Sequence, residues 1–138
     1  MTGEVFLDTN VVLYALIATP LEPLDRRTRI AEEKLRDGGT ISVQVLSEFV
    51  DVVSRKRGRD WHIIGEMLEI IESLCGPPIA LTADTQKKSV DIAKRYGFRI
   101  YDSLILAAAE LSGCTTLYTE DMQHGQKIGK VNIVNPFL

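Results

Sequence analysis

Val5-Phe6-Leu7-Asp8-Thr9-Asn10 is the stretch on which the fold turns. An apolar run ends in an acid, and Thr9-Asn10 open a second segment, Val11 to Ile17, rich in Val, Leu and Ala. That is the pattern of a buried strand that carries a carboxylate to its C-terminal tip and hands over to a helix. In an open α/β sheet the ligand crevice lies outside the carboxyl ends of the strands, which is where Asp8 would stand. A plainer account is also physical, because Asp, Thr and Asn are favoured helix caps and turn residues. What separates the two is whether other carboxylates reach the same edge.

Outward from that stretch, strands and helices alternate. Thr19-Pro20 to Pro23 reads as a turn, and Asp25 to Arg36 as a charged helix stopped by Gly38-Gly39. Ile41 to Val43 is a short second strand, followed by a helix from Val43 to Arg55. On a helical wheel Val45, Leu46, Phe49, Val50, Val52 and Val53 share one face, and Gln44, Glu48, Asp51 and Arg55 the other. Gly58 interrupts, and a helical pattern resumes from Trp61 to Leu74 with Ile64, Leu68, Ile71 and Leu74 in phase. Ile79 to Leu81 is a third strand and Asp84 to Tyr96 a helix closed by Gly97. Asp102 to Leu111 is a helix apolar nearly all round, which must be buried on most sides. Thr115 to Tyr118 is a strand, Thr119 to Gly129 a polar loop, and Val131 to Val134 the last strand. The alternation predicts an α/β fold: a three-layer α/β/α sandwich with a mostly parallel central sheet.

The totals fit one domain over residues 1–138, large enough to bury a core without disulfides. The apolar runs are too short to span a bilayer and no basic-then-apolar leader opens the chain, so a soluble, cytoplasmic protein is expected. Cys75 and Cys114 lie far apart and lack the spacing of a zinc site or disulfide framework. The formal net charge of −3 speaks against a generally basic nucleic-acid binder. It leaves room for a local patch, and Arg55-Lys56-Arg57-Gly58-Arg59 is the dense basic run. That run is either a solvated helix end or a contact for an RNA backbone.

Four acids fall at strand ends or helix starts: Asp8, Glu48 on the helix after the second strand, Asp102 and Asp121. Each has a plain alternative. Asp102 could be a helix cap, with Ser103 as rival, Glu48 could be a solvated residue with Asp51 as rival, and Asp121 has Glu120 beside it. Together they say more. Two carboxylates about 5 Å apart repel by roughly 3 kcal/mol at an effective dielectric near 20. A cluster of them is destabilising unless protonated or neutralised by a cation. An oxygen-rich site without His or Cys suits Mg²⁺ or Mn²⁺, and the matching chemistry is metal-assisted phosphodiester hydrolysis by activated water. No Ser-His-Asp or Cys-His constellation and no phosphate-cradling Gly loop offers a rival, and His62 and His124 read as surface or loop residues.

Phe6-Leu7-Asp8-Thr9-Asn10, Leu46-Ser47-Glu48-Phe49, Tyr101-Asp102-Ser103-Leu104 with Ala107-Ala108, and Leu117-Tyr118-Thr119-Glu120-Asp121 resemble the successive motifs of PIN-domain nucleases. The nearest resemblance is to the toxin ribonucleases of VapBC-type toxin–antitoxin modules, in which the ending Val134-Asn135-Pro136-Phe137 is also familiar. The resemblance implies a sheet of order 3-2-1-4-5, with Mg²⁺ or Mn²⁺ held by acids. Asp8, Glu48, Asp102 and Asp121 become the catalytic quartet, with Asp8, Asp102 and Asp121 on the metal. Thr9, Asn10 and Thr119 become supporting residues. Asp121 fits better than Glu120, because a Thr lies two positions before it, and Ser103 stands where many relatives have Ala.

The implied function is a metal-dependent endoribonuclease, the toxin of a toxin–antitoxin pair, acting on RNA and held by a cognate antitoxin protein. The resemblance, joined by the apolar surface expected to be exposed on the helices over 25–36 and 58–74, Trp61 included, implies a homodimer whose groove also receives an antitoxin peptide. Two alternatives remain open. One is a non-catalytic RNA- or protein-binding module of the same fold. The other is a phosphatase or receiver-like domain with Asp8 as phospho-acceptor, which lacks a second acid two residues on, where Asn10 stands.

Overall fold

The computed structural model describes residues 4–17, 25–56 and 60–138. The elements are β1 (Glu4–Leu7), α1 (Thr9–Leu16), α2 (Arg26–Arg36), α3 (Val43–Lys56), α4 (Trp61–Cys75), α5 (Ala83–Tyr96), α6 (Ile100–Leu111), β2 (Cys114–Tyr118), β3 (Lys127–Ile128) and β4 (Val131–Val134). The helices flank a mostly parallel sheet, the expected α/β/α sandwich. The predicted turn at Thr19 to Pro23 and the break at Gly58 lie outside the described residues.

The sheet runs β1-β2-β4-β3. β1 and β2 are parallel, with Phe6 opposite Leu117 and Leu7 opposite Tyr118. β2 and β4 are also parallel, with Leu117 opposite Ile133. Phe6, Leu7, Leu117 and Ile133 are fully buried, as expected of strands covered on both faces. Beyond β1 the ladder continues through single parallel bridges, Phe6 with Thr40 and Ser42 with Ile79. Spatially, the five parallel segments therefore follow the 3-2-1-4-5 order with β1 in the middle. The predicted second and third strands are thinner than expected, each reduced to bridge positions. Gly38, at φ +80°, makes the turn into the first of them, and Gly39 lies so close to β1 that a Cβ would stand 3.0 Å from Leu7 Cγ. The chain thus touches β1 only briefly before α3 begins.

The polar loop after β2 was expected to be without strands. It contains β3, which pairs antiparallel with β4, Lys127 opposite Asn132 and Ile128 opposite Val131. Two residues are too few to show a period, so only the hairpin partner reveals them.

α6 behaves as its composition requires. Every residue from Ser103 to Ala109 is buried, packed against β2, β4 and α5. α3 departs from its wheel: Gln44 is buried and Val43 exposed, while Leu46, Val50 and Val52 are only half-buried. The first turn of α3 abuts the first turn of α6, where Gln44 Nε2 donates to the Tyr101 carbonyl at 3.1 Å. A neighbour in space covers what an isolated helix would leave in water. In α4, Ile64 and Ile71 are buried as their phase predicts, whereas Leu74 is 37% exposed. At the chain's end Phe137 packs edge-on to Tyr14 with ring centroids 5.3 Å apart. No helix among the described residues is long and apolar enough to cross a membrane.

Candidate active site

Parallel register builds the centre of the site. Because Leu7 lies opposite Tyr118, the next residues along, Asp8 and Thr119, emerge side by side at the carboxyl ends of β1 and β2. The ladder extends one step further to hold them: Asp8 N–H donates to Tyr118 O at 3.0 Å and Thr119 N–H to Val134 O at 3.1 Å. Asp8 also caps α1, its Oδ1 accepting from Thr9 N–H at 2.7 Å. The cap and the cleft acid are therefore one residue.

Three other chain segments bring their acids to the same place. Glu48 comes from the second turn of α3, Asp102 from the first turn of α6, and Asp121 from the loop after β2. Asp8, Glu48, Asp102 and Asp121 line one cleft of about 290 Å³, together with Thr9, Arg99, Tyr101 and Ile105. Asp102 is not the cap of its helix. That position is Arg99, which makes no capping side-chain hydrogen bond, and the Ser103 hydroxyl turns back to the Arg99 carbonyl at 2.9 Å. The Asp102 carboxylate instead meets the Arg99 guanidinium at 3.5 Å.

The predicted supporting residues form a continuous network around the acids. Thr119 Oγ1 donates to Asp8 Oδ2 at 2.8 Å and accepts from Asp121 N–H at 3.1 Å. Asn10 Nδ2 donates to Asp121 Oδ2 at 3.0 Å and to Thr119 Oγ1 at 3.3 Å. Thr9 Oγ1 donates to Glu48 Oε1 at 2.9 Å. Glu120, the rival of Asp121, is drawn away: its carboxylate accepts from Tyr14 O–H at 2.5 Å and lies 3.8 Å from Arg27 Nε.

Burial pushes the Asp8 carboxyl up from its ordinary 3.8 to about 6. The hydrogen bonds from Thr119 and Thr9 pull the other way, and the charges of Glu48 and Asp121 add to the rise. Among the described residues no positive side chain is paired with Asp8. Arg99 is the cation in the lining, and its guanidinium faces Asp102.

Among the described residues no three His, Cys, Asp or Glu side chains form a ready-made cation site. The carboxylates share a cleft without closing into a cage. That arrangement fits Mg²⁺, which gives up its waters reluctantly and is usually held through one or two carboxylates and substrate phosphate. The donor set is all oxygen, as a hard cation requires. His and Cys stand apart: His62 is solvent-facing beside Glu66 at 3.0 Å, and His124 accepts from Asn135 N–H. Cys75 and Cys114 are free thiols, and burial raises the Cys75 pKa.

Of the basic run, Arg55 and Lys56 are exposed at the end of α3, with Arg55 Nη2 2.9 Å from Asp51; Arg57 and Arg59 lie outside the described residues. Gln44, Arg99 and Tyr101 carried no role in the sequence. Tyr101 stood next to a motif acid, and that adjacency was the available signal.

Solved structures share this architecture. FitAcB from Neisseria gonorrhoeae matches with a TM-score of 0.69 at 24% identity, over 96% of this chain and 98% of that one. A toxin-antitoxin complex from Klebsiella pneumoniae matches at 0.67 and 22%, over 96% and 97%. VapC20 from Mycobacterium tuberculosis, a Sarcin-Ricin loop cleaving toxin, matches at 0.65 and 18%, over 85% and 89%. At these identities the likeness is one of fold. No curated protein matches in sequence. The PIN domain family model, however, matches residues 5–127. By that match, across nearly the whole of the chain, the protein belongs to the PIN domain family.

Proposed function

We propose that this protein is a metal-dependent endoribonuclease and the toxin of a toxin–antitoxin pair. The observation that carries the reading is the convergence of Asp8, Glu48, Asp102 and Asp121, from four separate segments, on one cleft at the carboxyl ends of the parallel strands. Asp8, Asp102 and Asp121 would hold Mg²⁺ or Mn²⁺. A bound divalent cation supplies neutralisation of the phosphate charge and activation of water.

The chain's own residues do the positioning. Thr119 fixes the Asp8 carboxylate, Asn10 fixes Asp121, and Thr9 fixes Glu48. Glu48 is the acid left to orient the attacking water and take its proton as the P–O bond breaks. Arg55, Lys56, Arg57 and Arg59 are proposed to steer the RNA backbone towards the cleft.

A cognate antitoxin protein as partner is supported by the toxin-antitoxin complex among the structural neighbours. An apolar groove between α3 and α4, lined by Val43, Leu46, Val50, Trp61 and Leu68 and about 500 Å³ in volume, supports a protein contact, including a homodimer. The single domain over 1–138 and a cytoplasmic location belong to the same reading.

RNA cleavage with Mg²⁺ or Mn²⁺, with and without chelator, tests the activity against Asp8→Asn and Asp102→Asn controls. Chelator-sensitive cleavage lost in both variants is expected. Cleavage that persists in both variants, or is absent from the wild type in either metal, rejects it.

A further inference from the structure

The acid cleft has a rim on one side that the quartet does not explain. Tyr101 is 66% exposed, yet it lines the same cleft as Asp8, Glu48, Asp102 and Asp121. A solvent-facing aromatic ring at the edge of a cleft offers a face on which a base can stack. It is also firmly mounted. The ring sits on the first turn of α6, whose residues from Ser103 to Ala109 are buried, and its carbonyl is held by Gln44 from α3. Gln44 is itself buried, so the backbone under the ring is pinned between two helices.

Two residues earlier, Arg99 lines the cleft with its side chain 86% exposed. Its contact with Asp102, at 3.5 Å, is a single ion pair at the solvent boundary and is readily exchanged. A guanidinium and an aromatic face at one rim match a nucleotide: the cation meets a phosphate oxygen and the ring stacks on a base.

From this arrangement we infer that Tyr101 and Arg99 form a nucleotide-binding rim that selects unpaired RNA. This rests on the nuclease reading for its ligand class and deepens it. Tyr101 stacks one base next to the bond that faces the acids. Arg99 exchanges its exposed contact with Asp102 for the phosphate as the RNA binds. A base stacked on a protein ring cannot remain stacked and paired in a duplex, so the substrate is a loop or single strand.

The test uses the full chain and short RNAs carrying 2-aminopurine, single-stranded or annealed, first in EDTA to measure binding and then in Mg²⁺ to measure cleavage. Wild type should quench the probe in the single strand and leave it unchanged in the duplex. Tyr101→Ala should abolish the quench and weaken binding by tenfold or more, the range of one base stack removed. Tyr101→Trp should restore both. Arg99→Gln should flatten the dependence of log K on log salt by about 0.7, the contribution of one single-strand phosphate contact, and Arg99→Lys should not. Because both side chains are exposed, melting temperatures should stay near wild type in every variant.

Equal quench and affinity in Tyr101→Ala overturn the rim, as does equal binding to the duplex or no binding to the single strand. If wild type cleaves in Mg²⁺ while Tyr101→Ala binds and cuts unchanged, the rim fails and the nuclease stands. If the quench and its loss appear without any cleavage, the rim stands and the nuclease fails.

Discussion

Thr119 Oγ1 donates to Asp8 Oδ2 at 2.8 Å across the junction of β1 and β2, and no side chain in the cleft is held more directly by another. The same oxygen accepts from Asp121 N–H and Asn10 Nδ2. One fully buried hydroxyl therefore sets the position of two of the four acids.

Thr119→Val keeps the shape and removes that hydroxyl. Asp8 loses a donor, and Asp121 N–H and Asn10 Nδ2 lose an acceptor. The expected cost is about 1–3 kcal/mol, read as a lower midpoint in urea unfolding. Thr119→Ser should recover most of it. A Val variant as stable as wild type would show that the hydroxyl positions nothing.

The raised pKa of Asp8 makes a signed prediction about pH. A carboxyl that titrates at about 6 when folded and near 3.8 when unfolded binds its proton more tightly in the folded state. Its contribution to stability is fully present below pH 3.8 and is lost as pH rises through 6. The loss is about 3 kcal/mol, at 1.36 kcal/mol for each pH unit between the two values. Asp8→Asn cannot titrate, so without metal it should be more stable than wild type at pH 7, and the gap should close by pH 4. Part of the gain will be offset by the hydrogen bonds that Asn makes less well with Thr9 and Thr119. Unfolding of both proteins across pH 4–8 in EDTA measures it. A gap that widens towards acid would refute the assignment.

Metal should act in the opposite sense. Mg²⁺ or Mn²⁺ at about 100 times its Kd should stabilise wild type by about 2.7 kcal/mol, reversed by EDTA. Because the cation competes with the proton on Asp8, its affinity should fall as pH drops below 6. Asp102→Asn should lose most of the response while keeping its fold, since among the described residues the polar contact of the Asp102 carboxylate is the Arg99 ion pair. Calorimetric titration and melting curves check both; an undiminished response in Asp102→Asn would remove it from the metal site.

The basic run should affect binding more than folding. Arg55 and Asp51 form an exposed pair four residues apart on α3, a kind worth only about 0.3–0.5 kcal/mol. Exchanging Arg55, Lys56, Arg57 and Arg59 for Gln should leave the melting temperature nearly unchanged. It should lower the salt slope of RNA binding by about 0.7 for each phosphate that the protein no longer neutralises. Fluorescence anisotropy over a salt series decides; an unaltered slope assigns the run to solvation.

Local chemistry carried much of the fold. Val5 to Asp8, the apolar α6 and the alternation of strands with helices determined a mostly parallel sheet with acids at its carboxyl edge, because period and punctuation are properties of neighbours in sequence. Asp8, Asp102 and Asp121 could be picked out at strand ends and a helix start, while Glu48 lay within a helix with Asp51 as rival and Asp121 had Glu120 beside it. Tertiary structure decided the rest. Parallel register set Asp8 beside Thr119, 111 residues away. Tyr14 and Arg27 drew Glu120 aside and left Asp121 in the cleft. The second and third strands are reduced to the bridges of Phe6 with Thr40 and Ser42 with Ile79, a pairing that the apolar runs alone do not reveal. Gln44 went inside because α6 covers it, and Arg99 and Tyr101 joined the acids because that same helix begins at the cleft. A helical wheel assumes water on one side of an isolated helix, and where two helix starts meet, the neighbour supplies the environment that sequence period cannot see.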